Sequence, residues 1–154
     1  MKSSVIVANR FLELAEAKGD KLTPMQLLKL VYIAHGWMLG LYGRPLIRDH
    51  VEAWQYGPVI PALYSHVRGY KGAPITGKIS SILARGGVLD EEEEDVVSQV
   101  YGIYGQMSGM RLSRITHATG TPWSQTYEPG TFGTIIPTDL IEDHYRQLSE
   151  QNAG

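Results

Sequence analysis

Thr23-Pro24-Met25-Gln26-Leu27-Leu28-Lys29-Leu30-Val31-Tyr32-Ile33-Ala34-His35-Gly36-Trp37-Met38-Leu39-Gly40-Leu41 sets the architecture of this chain. Thr23 is suited to accept from the third helical amide, Pro24 fits the first helical position, and Gln26 completes a capping box. Behind that start signal, Leu27, Leu28, Leu30, Val31, Ala34, Trp37, Met38 and Leu41 follow over about four turns. So much apolar surface around one helix does not suit a surface position. It predicts the central helix of the core.

Outward from this helix the signals weaken but stay helical. Residues 4–18 place Val5, Ala8, Phe11, Leu12 and Ala15 at helical spacing, with Gly19 as a stop, which predicts a narrow face lying on the core. Tyr42 to Leu46 reads as a turn. Leu46 to Trp54 suits one or two short strands, with Val51 and Ala53 on one side and Glu52 on the other. Gln55-Tyr56-Gly57-Pro58 is a sharp break, because Gly57 supplies backbone freedom and Pro58 is not expected to continue a strand. Val59 to Arg68 predicts a short helix.

Gly69 to Gly87 holds five of the 17 glycines and little periodicity, and is expected to be an exposed loop. Asp90 and Ser108 are candidate caps for helices built on Val96, Val97, Val100, Ile103, Tyr104 and Met107, and on Leu112, Ile115 and Thr116. A short helical turn is expected from Pro122 to Tyr127, an extended link from Gly130 to Ile136, and a last helix from Pro137 through Leu148. The expected fold is mostly α: a compact single-domain helical bundle with at most a small β-hairpin. Residues 1–150 form the domain and 151–154 a frayed tail.

Composition narrows the function. Hydrophobic residues make up 43% and charged residues 19% of the 154 residues, a globular balance. There is no cysteine, so disulfides, thiolate zinc sites and cysteine nucleophiles are excluded, which fits a reducing cytoplasm. The opening MKSSVIVANRFLELAEAKGDK has no signal-peptide core, and no stretch approaches a membrane span, so a soluble cytoplasmic protein is expected. Residues 1–85 carry 11 Lys/Arg against 5 Asp/Glu, and residues 86–154 carry 3 against 11. Such asymmetry creates opposed surface fields. Much of the acidic excess is the run Asp90 to Asp95, expected to be a solvated first helical turn beside the positive helix terminus.

Motifs for chemistry are sparse. His35 has no metal-ligand type three or four residues away, so a buried hydrogen-bonded histidine is expected. There is no G-x-S-x-G elbow and no phosphate-binding glycine loop. No catalytic residue, cofactor or metal is expected. The enzymatic alternative is a small hydrolase-like site in which His35, His117 and Glu52 converge. Lys71, Lys78 and Arg85 could contact phosphates in a transcription-associated regulator. No helix concentrates basic residues on one face, however, and direct nucleic-acid binding is not the expectation. Trp37, Trp54, Tyr56, Tyr64 and Trp123 gather around turns and helix junctions, where aromatics serve as core or as interface anchors.

Three segments in order, Thr23 to Trp37, Val51-Glu52-Ala53-Trp54-Gln55-Tyr56-Gly57-Pro58-Val59, and Thr116-His117-Ala118-Thr119-Gly120-Thr121-Pro122-Trp123, resemble the Panacea domain. This is the SocA-like antitoxin family, which includes phage-associated GepA-like proteins. The resemblance implies a mostly helical domain that neutralises a cognate protein toxin by direct binding in a two-gene module. In one branch it implies an adaptor to a AAA+ protease. Trp54, Gln55, Tyr56, Tyr64 and Arg68 are the expected partner-binding surface. Lys29, Tyr32, His35, Trp37, Glu52, Gly57, Pro58, Thr116, His117 and Trp123 are the expected structural signature. Lys29 is expected to reach a carboxylate or a helix terminus, and Thr116, His117 and Trp123 to lie beside His35.

Overall fold

The computed structural model describes residues 1–153. The Thr23 box forms as expected: Gln26 N donates to Thr23 Oγ1 and Thr23 N to Gln26 Oε1. It opens α2 (Pro24–Tyr42), which Gly43 closes in the left-handed conformation at φ 68°. The other helices are α1 (Ser4–Ala17), α3 (Pro61–Val67), α4 (Glu91–Tyr104), α5 (Gly109–His117), α6 (Pro122–Thr126) and α7 (Thr138–Ala153). The last helix runs past the expected Leu148, and Gly154, the end of the expected frayed tail, lies outside the described residues. No described helix is long and apolar enough to cross a membrane.

Packing bears out the central helix. α7, α5, α4, α1 and α3 all lie against α2, whose Leu27, Leu30, Val31, Ala34 and Met38 are fully buried. The contact with α7 is the most extensive. A Cβ on Gly40 would stand 2.7 and 2.8 Å from backbone atoms of Tyr145 and Arg146, and one on Gly36 would enter the Tyr145 ring. Those two glycines let α7 approach until Tyr145 meets Trp37 edge-on at 5.2 Å. α1 buries more than its expected narrow face, because Val7 and Asn9 are also covered. The cover over Asn9 is the glycine-rich segment. Asn9 exchanges hydrogen bonds with Ile79, donating at 3.0 Å and accepting at 2.6 Å, and Ile75 N donates to Leu22 O. That segment exposes Ile82 and Leu83, as expected of a loop, yet it is pinned along one side.

The sheet is small, antiparallel and ordered β2-β1-β3, from β1 (Glu52–Trp54), β2 (Gly57–Val59) and β3 (Thr134–Ile135). Pro58, expected to end a strand, sits within β2 opposite Ala53. It is tolerated because β2 is an edge strand, where one side makes no ladder and no N–H is required. β3 lies where only an extended link is expected; it pairs Glu52 with Ile135 and Ala53 with Thr134.

The opposed charges of the two halves pair with one another across the fold. Asp90 caps α4 in a capping box with Glu93. Arg10 holds Glu94 at 2.7 Å, Arg44 holds Asp90 and Glu92 at 2.9 Å, and Lys2 reaches the fully buried Glu93 at 3.1 Å. The acidic run is thus matched by N-terminal cations as well as by the helix terminus.

Candidate binding site at the hairpin and its aromatic groove

The three signature segments converge on one turn. The hairpin β1–β2 reverses through Gln55 and Tyr56, and its carbonyls are held from outside. Trp123 Nε1, on α6, donates to Trp54 O at 2.6 Å. Ser113 Oγ, on α5, donates to Tyr56 O at 2.7 Å, and Lys29 Nζ, on α2, donates to Pro58 O at 2.7 Å. A backbone clamped at alternate carbonyls by three helices cannot easily change shape. Gly57 is required by its φ of 127°, and a Cβ there would also press on Lys29 Nζ at 2.8 Å.

The hairpin side chains border a groove of about 670 Å³ lined by Met25, Leu28, Lys29, Trp54, Gln55, Tyr56, Tyr64, Lys71, Tyr127 and Phe132. Trp54 packs edge-on against Tyr64 at 5.0 Å and tilted against Phe132 at 5.2 Å. Trp123 stacks on Tyr127 at 4.8 Å and takes His117 edge-on at 5.3 Å. The groove's exposed aromatic side chains are Tyr56 at 69% and Phe132 at 79%. The structure therefore places four of the five expected partner-binding residues on one groove, while exposed Arg68 lies outside its lining. Sequence reasoning missed Met25, Lys71, Tyr127 and Phe132 on the lining, and Ser113 in the clamp. The available signal was Phe132, a lone aromatic in the loop Pro129-Gly130-Thr131-Phe132-Gly133.

Two expectations about the signature residues need correction. Lys29 reaches the Pro58 carbonyl, not a carboxylate or a helix terminus, because the hairpin edge is what packs on this part of α2. Thr116, His117 and Trp123 gather around Lys29 and the hairpin, not around His35. The His35 Nδ1 instead accepts from Leu46 N at 3.3 Å and Ile47 N at 3.4 Å. The His117 Nδ1 donates to the Ser113 carbonyl within its own helix.

The groups invoked for the hydrolase alternative are thus committed separately. Glu52 takes Trp54 Nε1 at 2.9 Å and faces His50 at 2.7 Å. Burial alone would raise its pKa, but those hydrogen bonds outweigh it and the net shift is downward, away from a general acid. Among the described residues no group of three or more His, Asp or Glu is placed to hold a metal ion.

His35 carries a testable consequence. Burial lowers its pKa from 6.5 to about 4. The unfolded chain therefore takes up this proton first as the pH falls, so the His35 contribution is complete above about pH 6.5 and declines towards pH 4. The loss at pH 4 is expected to be about 3 kcal/mol. Urea unfolding of the wild type and His35→Gln at about pH 7 and about pH 4 measures it. Parallel losses in both proteins would locate the acid sensitivity elsewhere.

Fold and site together define a helical domain that displays a clamped hairpin beside an aromatic groove. The chain belongs to the family described as Antitoxin SocA-like, Panacea domain, whose model matches residues 27–124. That span contains the hairpin and the three side chains that clamp it, Lys29, Ser113 and Trp123. Over 151 residues the chain is 32% identical to Antitoxin SocA of Caulobacter vibrioides (strain NA1000 / CB15N), an alignment covering 91% of this chain and 80% of that protein. No solved structure matches it.

Proposed function

We propose that this chain is the antitoxin of a two-gene toxin–antitoxin module, acting in the cytoplasm, and that it neutralises its cognate protein toxin by direct binding. The observation that carries this is the hairpin: its backbone is clamped by Lys29, Ser113 and Trp123 while Tyr56 remains exposed beside the groove. Rigid, solvent-facing aromatics on a preorganised turn lose little freedom when a partner covers them. Family membership and the similarity to Antitoxin SocA supply the class of partner. The role is binding, not catalysis, since His35, His117 and Glu52 are each engaged with different neighbours. Nucleic acid is a poor fit as well, because Lys2, Arg10 and Arg44 already face carboxylates of the chain itself.

Co-expression with the product of the adjacent gene tests the proposal. Growth inhibition by that product, relieved by this chain together with a co-purifying complex, is the expected result. A neighbour that is harmless alone would remove the antitoxin role. Toxin lifetime in the same cells separates two modes of neutralisation: simple sequestration leaves it unchanged, whereas delivery to a AAA+ protease shortens it.

A further inference from the structure

Lys29 lies at the floor of the groove with only 4% of its surface exposed. Its Nζ gives one N–H to Pro58 O, and an ammonium has three to give. Among the described residues no carboxylate stands within ion-pair distance of it, and burial alone accounts for the lowering of its pKa to about 8. It is therefore still charged at neutral pH. Other cations that pack against the body of the protein, Lys2, Arg10 and Arg44, each face a carboxylate. The groove lining adds a second cation, Lys71, and no Asp or Glu, in a chain whose net charge is −2. A buried ammonium without a counter-charge is costly, and apolar walls strengthen its attraction for an arriving anion.

We propose that Lys29 is the recognition point for an acidic side chain. The groove takes an extended segment of the partner protein that lays apolar side chains on Trp54, Tyr64 and Phe132 and reaches an Asp or Glu carboxylate down to the Lys29 ammonium. A side chain is the fitting source, because Lys29 lines the groove while only 4% exposed, so a carboxylate has to leave the segment's backbone and enter the groove to meet the ammonium. This deepens the antitoxin reading, and rests on it only for the identity of the partner.

Three acetylated probe peptides test it against the full chain carrying isotope-labelled lysine: amidated Phe-Glu-Phe, amidated Phe-Gln-Phe, and Phe-Phe with a free C-terminal carboxylate. The Glu peptide is expected to bind at least about tenfold more tightly than the Gln peptide and to shift the Lys29 ε-methylene resonance. In Lys29→Met that preference should vanish. Equal affinities, a preference that survives Lys29→Met, or binding by none of the peptides would overturn the proposal. Tighter binding by the C-terminal carboxylate would overturn the side-chain assignment. Should Lys29→Met fail to fold, the wild-type Glu/Gln ratio read with the Lys29 resonance decides between the same outcomes. Growth rescue separates this proposal from the antitoxin role. Rescue that is undiminished in a folded Lys29→Met overturns carboxylate recognition alone, whereas absence of rescue by the wild type removes the antitoxin role and leaves the peptide ratio to judge the groove.

Discussion

Gly40→Val is expected to destabilise the fold by about 3 kcal/mol, a large part of the stability of a domain of this size. Valine gains slightly in helix propensity over glycine, but that gain is a few tenths of a kcal/mol. Its side chain would enter a space already filled by the backbone of α7 at Tyr145 and Arg146, which cannot rotate away as a flexible side chain can. α7 must then lift from α2, uncovering Ile141 and Tyr145, both buried in the native packing. Gly102→Ala is the matched control. Gly102 lies in α4 with nothing within 4 Å of an added Cβ, so there the propensity gain of up to about 1 kcal/mol should appear as added stability. Urea unfolding of the two variants checks the pair. A Gly40→Val protein as stable as the wild type would mean that α7 does not pack on α2 at this distance.

Tyr56→Ala is expected to leave stability nearly unchanged and to weaken toxin binding by about 2 kcal/mol, roughly 30-fold. The side chain is 69% exposed, so truncation removes little buried surface. The backbone stays in place because Ser113 holds the residue-56 carbonyl whatever the side chain. Calorimetric titration with the adjacent gene product, alongside thermal unfolding, reads both quantities. Wild-type affinity in Tyr56→Ala and again in Phe132→Ala would move the toxin-facing surface away from this groove. Gly57→Ala offers the contrasting case: it strains a backbone at φ 127° and crowds Lys29 Nζ, so it should reduce stability and binding together.

The sequence is most informative where the physics is local. Capping boxes at Thr23 and Asp90 and the cap at Ser108 act across three residues, and all three helices begin where those residues stand. Apolar periodicity identifies α2 as the core helix, since burial on many sides leaves an unmistakable pattern. The three signature segments point to the family, and Trp54, Gln55, Tyr56 and Tyr64 do share one groove.

Other features depend on partners far along the chain. Lys29 and Pro58 are separated by 29 residues, Ser113 and Tyr56 by 57, and Trp123 and Trp54 by 69. No periodicity or cap encodes such pairings, so in the sequence Lys29 is only a lysine in want of a partner. Pro58 resembles a strand breaker because the residues around it do not say that its strand lies at an edge. Likewise nothing near His35 says that its ring will meet the Leu46 and Ile47 amides, and nothing near Phe132 says that its loop returns to Trp54. The helices, their caps and the central place of α2 are written in interactions that span a few residues, which is why the chain alone discloses them. The clamped hairpin, the aromatic groove and the buried charge beneath it arise only when helices distant in the chain pack together, because a side chain's partner and its cost of burial are properties of the assembled interior.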